Sequence, residues 1–220
     1  KDPVSLLMEK VNAGKVKITE KNGKELVARL LTELNLSKDT QVLVFSKTSL
    51  QKRAVSYQNP RALYFNDSVY LGWMPNGRVE IASFDPELGP IFYFQRPLED
   101  HKSRLLVRTR SCLGCHAGAA TNFIPGSLGR SVYPDRTGRS LKDANDYHRS
   151  GHHIPLKDRY GGGFVSGQHG KMRHMGNAVA SRGNGEVQLD RNRFANLDKL
   201  DQFFSTDAYL SPGSDIAALL

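Results

Sequence analysis

The chain has 220 residues, 39% of them hydrophobic, with 31 Lys and Arg against 22 Asp and Glu for a formal charge of +9. That length and apolar content are enough for a buried core, which excludes disorder as the global state, and no apolar run reaches the roughly 18 residues that a membrane-spanning helix needs. The positive charge favours acidic partners without naming them.

Residues 1–110 carry 18 basic and 12 acidic side chains and most of the large apolar ones, and they read as an α+β region. Asp2-Pro3 is a helix start for Val4–Val11, with Gly14 as the stop. A second helix is predicted over Lys24–Leu34, where Leu26, Leu30, Leu31 and Leu34 share one face. Strands then take over at Gln41–Ser46, Ala62–Phe65, Val69–Met74, Arg78–Phe84, Pro90–Gln95 and Ser103–Arg108, all rich in β-branched and aromatic residues. Pro75-Asn76-Gly77 marks a hairpin, because Asn-Gly accepts the positive φ of a tight turn. The pattern predicts a mainly antiparallel sheet with helices on one side.

The two cysteines of the chain stand three apart and are followed by a histidine: Cys112-Leu113-Gly114-Cys115-His116. The spacing is that of C-x-x-C-H, the attachment site of a c-type haem. Two thiols on a short helical turn each form a thioether to one porphyrin vinyl group, and the adjacent imidazole becomes the proximal iron ligand. Such attachment takes place in oxidising compartments outside the cytoplasm, so the motif predicts a periplasmic or extracellular protein. No signal peptide opens the sequence at Lys1-Asp2-Pro3, which reads as a mature or trimmed start.

Three other readings of the cysteines are weaker. A disulfide between residues three apart closes a small strained loop and adds little stability. A thioredoxin-type pair needs a long helix after the motif, and Ala117–Gly126 stops too soon to supply one. A zinc site needs a second tight pair of ligands, which the sequence lacks.

Residues 111–190 hold 14 of the 20 glycines and six of the seven histidines, while large apolar side chains become sparse. A segment of that content buries little apolar area by itself, and a haem would supply a flat apolar surface to wrap. The chain thus divides by composition into an α+β region, 1–110, and a glycine-rich, loop-rich haem-wrapping region, 111–220. Trp73, Phe84, Phe92 and Phe94 are candidates to wall the porphyrin, against the commoner role of core filling.

Four potential sixth ligands lie 53 to 59 residues after His116: His169, Met172, His174 and Met175. His174 is preferred, with Met175 and His169 as alternatives and the cluster His148, His152 and His153 behind them. Arg173 is a candidate contact for a haem propionate, since a guanidinium forks onto a carboxylate; Arg110, Arg130, Arg136 and Arg139 are further ones. Ser211–Asp215 reads as a turn and cap before a helix at Ile216–Leu220 that stops after about one turn, which predicts a longer natural polypeptide.

With Cys112–His116 the chain resembles a monohaem c-type cytochrome of the bacterial periplasm or cell exterior. It does not resemble class I, which is about half this length and opens with a helix close to its motif. The block Gly162–Asn177, with His169-Gly170, then His174-Met175-Gly176-Asn177, is similar to a group of exported bacterial haem-c proteins of unassigned function. The resemblance implies one covalent haem c with its iron, held by Cys112, Cys115 and His116, and imports no reaction.

Two function classes follow. The first is an electron carrier with a six-coordinate iron, docking through its charge to an acidic redox protein. The second is a haem enzyme or sensor that takes peroxide, nitric oxide or carbon monoxide at a vacant or displaceable sixth position, with His169 as a distal acid–base group. A weaker third is a binding module in which the sheet does the work. The basic residues are spread over the chain with no nucleic-acid motif, which argues against nucleic acid as partner.

Overall fold

A computed structural model describes residues 1–97, 105–142, 148–149 (backbone), 153–191 and 194–215. His152, the first residues of the Ser103–Arg108 strand and the predicted C-terminal helix at 216–220 lie outside the described residues. The fold is mixed α+β. Two N-terminal helices, α1 (Pro3–Asn12) and α2 (Gly23–Glu33), precede a six-stranded antiparallel sheet in chain order: β1 (Val42–Val44), β2 (Arg61–Phe65), β3 (Val69–Trp73), β4 (Val79–Asp85), β5 (Gly89–Gln95) and β6 (Leu106–Arg108). Two compact units divide the chain, Lys1–Thr40 with Leu63–Leu128 and Gln41–Ala62 with Gly129–Leu220.

In the first unit, the start of α1 is set by Asp2, whose Oδ1 accepts the orphan N–H groups of Val4 and Ser5 at 3.1 and 3.2 Å. Its other oxygen accepts from the Tyr93 hydroxyl at 2.8 Å, which ties the helix cap to β5. Burial, reinforced by Asp2, pushes the Tyr93 hydroxyl up from its ordinary range. Asn22 caps α2 through Glu25, and Leu26, Leu30, Leu31 and Leu34 are all buried, as their spacing predicts.

Strand register sorts the sheet into two faces. Leu71 stands opposite Ile81, and Ile81 opposite Tyr93; this face, which includes Ser83, receives α1, because the Val4 N–H reaches the Ser83 hydroxyl as well as Asp2. Trp73 belongs to it too and packs against Gly23 at the head of α2, so it fills core. The alternate positions Ala82, Phe84, Phe92 and Phe94 point to the opposite face. Helices on one side leave that second face for something else.

The β3–β4 turn closes with the Gly77 N–H donating to the Met74 carbonyl at 2.8 Å. Its positive φ falls on Asn76 (60°) with Pro75 before it, the arrangement of a type II turn.

The second unit has a core of its own. Phe45 and Tyr57 meet Phe164 at ring-centroid distances of 4.9 and 4.8 Å, and Phe203 and Phe204 lie 5.7 and 5.1 Å from Phe164. This cluster is assembled on Phe164 from 41–62 and 194–209, so apolar partners for the 111–190 stretch come from elsewhere in the chain. The glycines serve it: a Cβ on Gly161 would lie 2.2 Å from the Val132 carbonyl oxygen, and one on Gly138 2.2 Å from that of Phe45. Two small two-stranded antiparallel sheets, β7 (Arg130–Ser131) with β8 (His148–Arg149) and β9 (Ala180–Gly183) with β10 (Glu186–Leu189), belong to the same unit.

Candidate functional site

Cys112 opens a single helical turn, α3 (Leu113–His116), and the His116 N–H donates to the Cys112 carbonyl at 2.9 Å. Positions three and four apart on a helix share a face, so Cys112, Cys115 and His116 are presented together. Neither cysteine is in a disulfide; Cys112 is half-buried and Cys115 exposed. The helix ends at His116, too short for the dipole that a redox-active Cys-x-x-Cys exploits.

The His116 imidazole is oriented from behind. Its Nδ1 donates to the Gly126 carbonyl oxygen at 2.9 Å, while the Gly126 N–H returns to the His116 carbonyl at 2.8 Å. Donation by Nδ1 places the remaining lone pair on Nε2, which makes no hydrogen bond among the described residues. A metal-ligating histidine is held this way, with one nitrogen tied to a backbone carbonyl and the other offered to the metal. Phe92, from the helix-free face of the sheet, packs on the His116 ring at 5.0 Å between centroids. The motif therefore sits where the sheet leaves aromatic surface uncovered by helices.

The loop closing on Gly126 displays apolar surface. Asn122 and Phe123 both take left-handed backbone, with φ of 53° and 61°, which is costly for a bulky aromatic residue. Phe123 and Ile124 end up 74% and 68% exposed, and Leu88 in the β4–β5 turn is 65% exposed. Two thiols and an imidazole on one face, a free Nε2 lone pair and bare apolar surface fit a covalently held haem.

The sixth-ligand candidates lie in the second unit, and Met175, His174 and His169 are held by protein groups. Met175 is fully buried against Tyr133 and Ala180, with the Ser131 hydroxyl donating to its sulfur at 3.6 Å. His174 accepts the Gly176 N–H on Nδ1 at 3.0 Å, and His169 accepts the Asn196 N–H on Nε2 at 3.0 Å. Burial, with a smaller contribution from His169, pushes His174 down to about 4. Met172 is 55% exposed and Arg173 is exposed. Arg110, Arg136 and Arg139 are exposed as well, and Arg130 is half-buried. Of the earlier cluster, His153 is exposed, and the side chains of His148 and His152 lie outside the described residues.

Residues not singled out from the sequence do much of the positioning. Asn177 is fully buried and bonds Val165 through both ends of its amide, at 2.7 and 2.8 Å. Asn196 accepts the N–H groups of His169 and Gly170 at 2.7 and 2.8 Å. Polar residues on either side of a histidine-rich block are a weak signal. Gly126 had none, because a backbone carbonyl is the same in every residue. Comparison with protein-family models, with curated proteins and with solved structures finds no match to this chain.

Proposed function

We propose that this chain is a c-type cytochrome that carries one haem on Cys112 and Cys115 and transfers single electrons outside the cytoplasm. The reading is carried by His116: one helical turn sets it beside both thiols, and its Nδ1 is spent on Gly126 so that Nε2 keeps a lone pair. Haem c, once bound, supplies a reversible Fe(III)/Fe(II) couple. The chain's own residues hold the cofactor by two thioethers, orient the proximal imidazole through Gly126 and cover one side of the site with Phe92. His174, then Met175 and His169, are the side chains to replace in seeking a protein sixth ligand, and Arg173 is the first to replace for a propionate contact. The +9 charge suits docking to an acidic redox protein.

A second reading is favoured by the hydrogen bonds of the second unit. The Nδ1 of His174, the Nε2 of His169 and the sulfur of Met175 each already accept a protein donor. A sixth position without a protein ligand would make this a haem protein that takes peroxide, nitric oxide or carbon monoxide. The deciding experiment is expression of the chain with haem-attachment machinery, followed by optical and electron paramagnetic resonance spectra. A low-spin ferric signal and slow carbon monoxide binding to the reduced protein support the carrier; a high-spin signal with rapid binding supports the second reading. Absence of a Soret band removes both.

A further inference from the structure

Within the second unit, the block 169–176 holds two imidazoles whose hydrogen bonds are only half made. His174 is 7% exposed, and its Nε2 is buried with no hydrogen-bond partner among the described residues. The Nδ1 of His169 is in the same condition. The two rings are neighbours, with centroids 4.4 Å apart and planes at 60°.

Two backbone amides decide which form each ring takes. A neutral imidazole has one N–H and one lone pair, and a backbone N–H needs the lone pair. The Gly176 amide therefore fixes the lone pair of His174 on Nδ1, and the Asn196 amide fixes that of His169 on Nε2. Each nitrogen without a partner consequently bears the proton. The result is two buried donors on neighbouring rings with no acceptor among the described residues.

That arrangement selects a ligand class. A transition-metal ion needs lone pairs, and supplying one from either orphan nitrogen would set ring N–H against backbone N–H. An oxygen with lone pairs is what both rings lack, and a charged oxygen makes the stronger bond. The sign of the surroundings agrees: Lys171 and Arg173 stand exposed in the loop between the two histidines. Nearby Asp198 already accepts the Gln168 side-chain amide at 2.8 Å. We infer that His169 and His174 form a binding site for a small oxyanion of the carboxylate type, with Lys171 and Arg173 adding attraction. The site lies wholly in the second unit, and a histidine that donates to an oxyanion there is not the sixth iron ligand, so the site is compatible with a haem that takes Met175 or no protein side chain as its sixth ligand.

The test uses the full chain and sodium formate as probe, with sodium chloride at equal ionic strength as control. Nitrogen-15 spectra of the ring atoms should show His174 protonated on Nε2 and His169 on Nδ1, and formate should shift both in one saturable step that chloride does not reproduce. His169→Gln and His174→Gln should each weaken formate binding about tenfold or more. Should either variant fail to fold, Lys171→Ala with Arg173→Ala on the exposed loop should weaken binding severalfold and leave both tautomers unchanged. The site is overturned if formate gives no saturable shift, if chloride gives the same one, if the tautomers are reversed, if the double variant binds formate as before, or if zinc binds to the pair instead.

Discussion

In the proposed cytochrome, Cys112, Cys115 and His116 do different jobs on one turn of helix, so their replacements should fail differently. Cys112→Ala with Cys115→Ala should abolish covalent haem, read by mass spectrometry and by haem stain after denaturing electrophoresis. His116→Ala should remove the proximal lone pair that Gly126 orients, and the Soret band should be lost or shifted even where a thioether still forms. His174 makes a second prediction at this scale. Its folded value near 4 lies below the ordinary 6.5, so between those pH values the unfolded chain binds a proton that the folded chain does not. Stability therefore falls as pH drops through that window. The slope stays below the about 1.4 kcal/mol per pH unit of one whole proton, because both forms are still partly titrating within so narrow a window. Urea midpoints measured across that range should fall less steeply for His174→Gln. The residue types at both places are plain in the sequence. Which nitrogen is protonated is not, since Gly176, Asn196 and Gly126 act through backbone atoms common to all residues.

At the scale of elements, α1 hangs on one carboxylate. Asp2→Ala removes the acceptor for Val4 and Ser5 and strands the buried Tyr93 hydroxyl, so it should cost about 1 kcal/mol for the cap and about as much again for the unpaired group. Chemical denaturation checks this, and Tyr93→Phe, which removes the stranded hydroxyl, should recover part of the loss in the Asp2→Ala background. Two glycines make a paired test. Gly161→Ala would drive a Cβ to 2.2 Å from the Val132 carbonyl oxygen and 2.9 Å from the Met175 side chain, so the second unit should lose its cooperative transition. Gly114→Ala meets nothing within 4 Å and sits in a helical turn, so it should keep haem attachment and leave stability unchanged or slightly raised. Helices and strands up to residue 97 are legible because period 3.6 and period 2 record local geometry in side-chain order. The role of the glycine run is not, because a close approach between segments distant in sequence leaves no mark on either alone.

For the molecule as a whole, the charge of +9 predicts that the proposed electron exchange with an acidic partner slows as salt is added, measured as stopped-flow rates across ionic strength. A salt-independent rate would separate the charge from the docking step. Composition changes near residue 110, yet the compact units place 41–62 with the second half of the chain. The reason is the aromatic core around Phe164, which draws Phe45 and Tyr57 to Phe203 and Phe204. By itself the sequence determined the α+β class, the start of the first helix at Asp2-Pro3, the apolar face of the second, the turn at Asn76 and the close spacing of Cys112, Cys115 and His116, because each is written in residues close together in the chain. Only the tertiary structure decided which sheet face stays free of helices, which atom of His116 keeps its lone pair and why the glycines of the second unit are small. Those are matters of what approaches from far along the chain, where contact is set by three-dimensional packing and backbone hydrogen bonds.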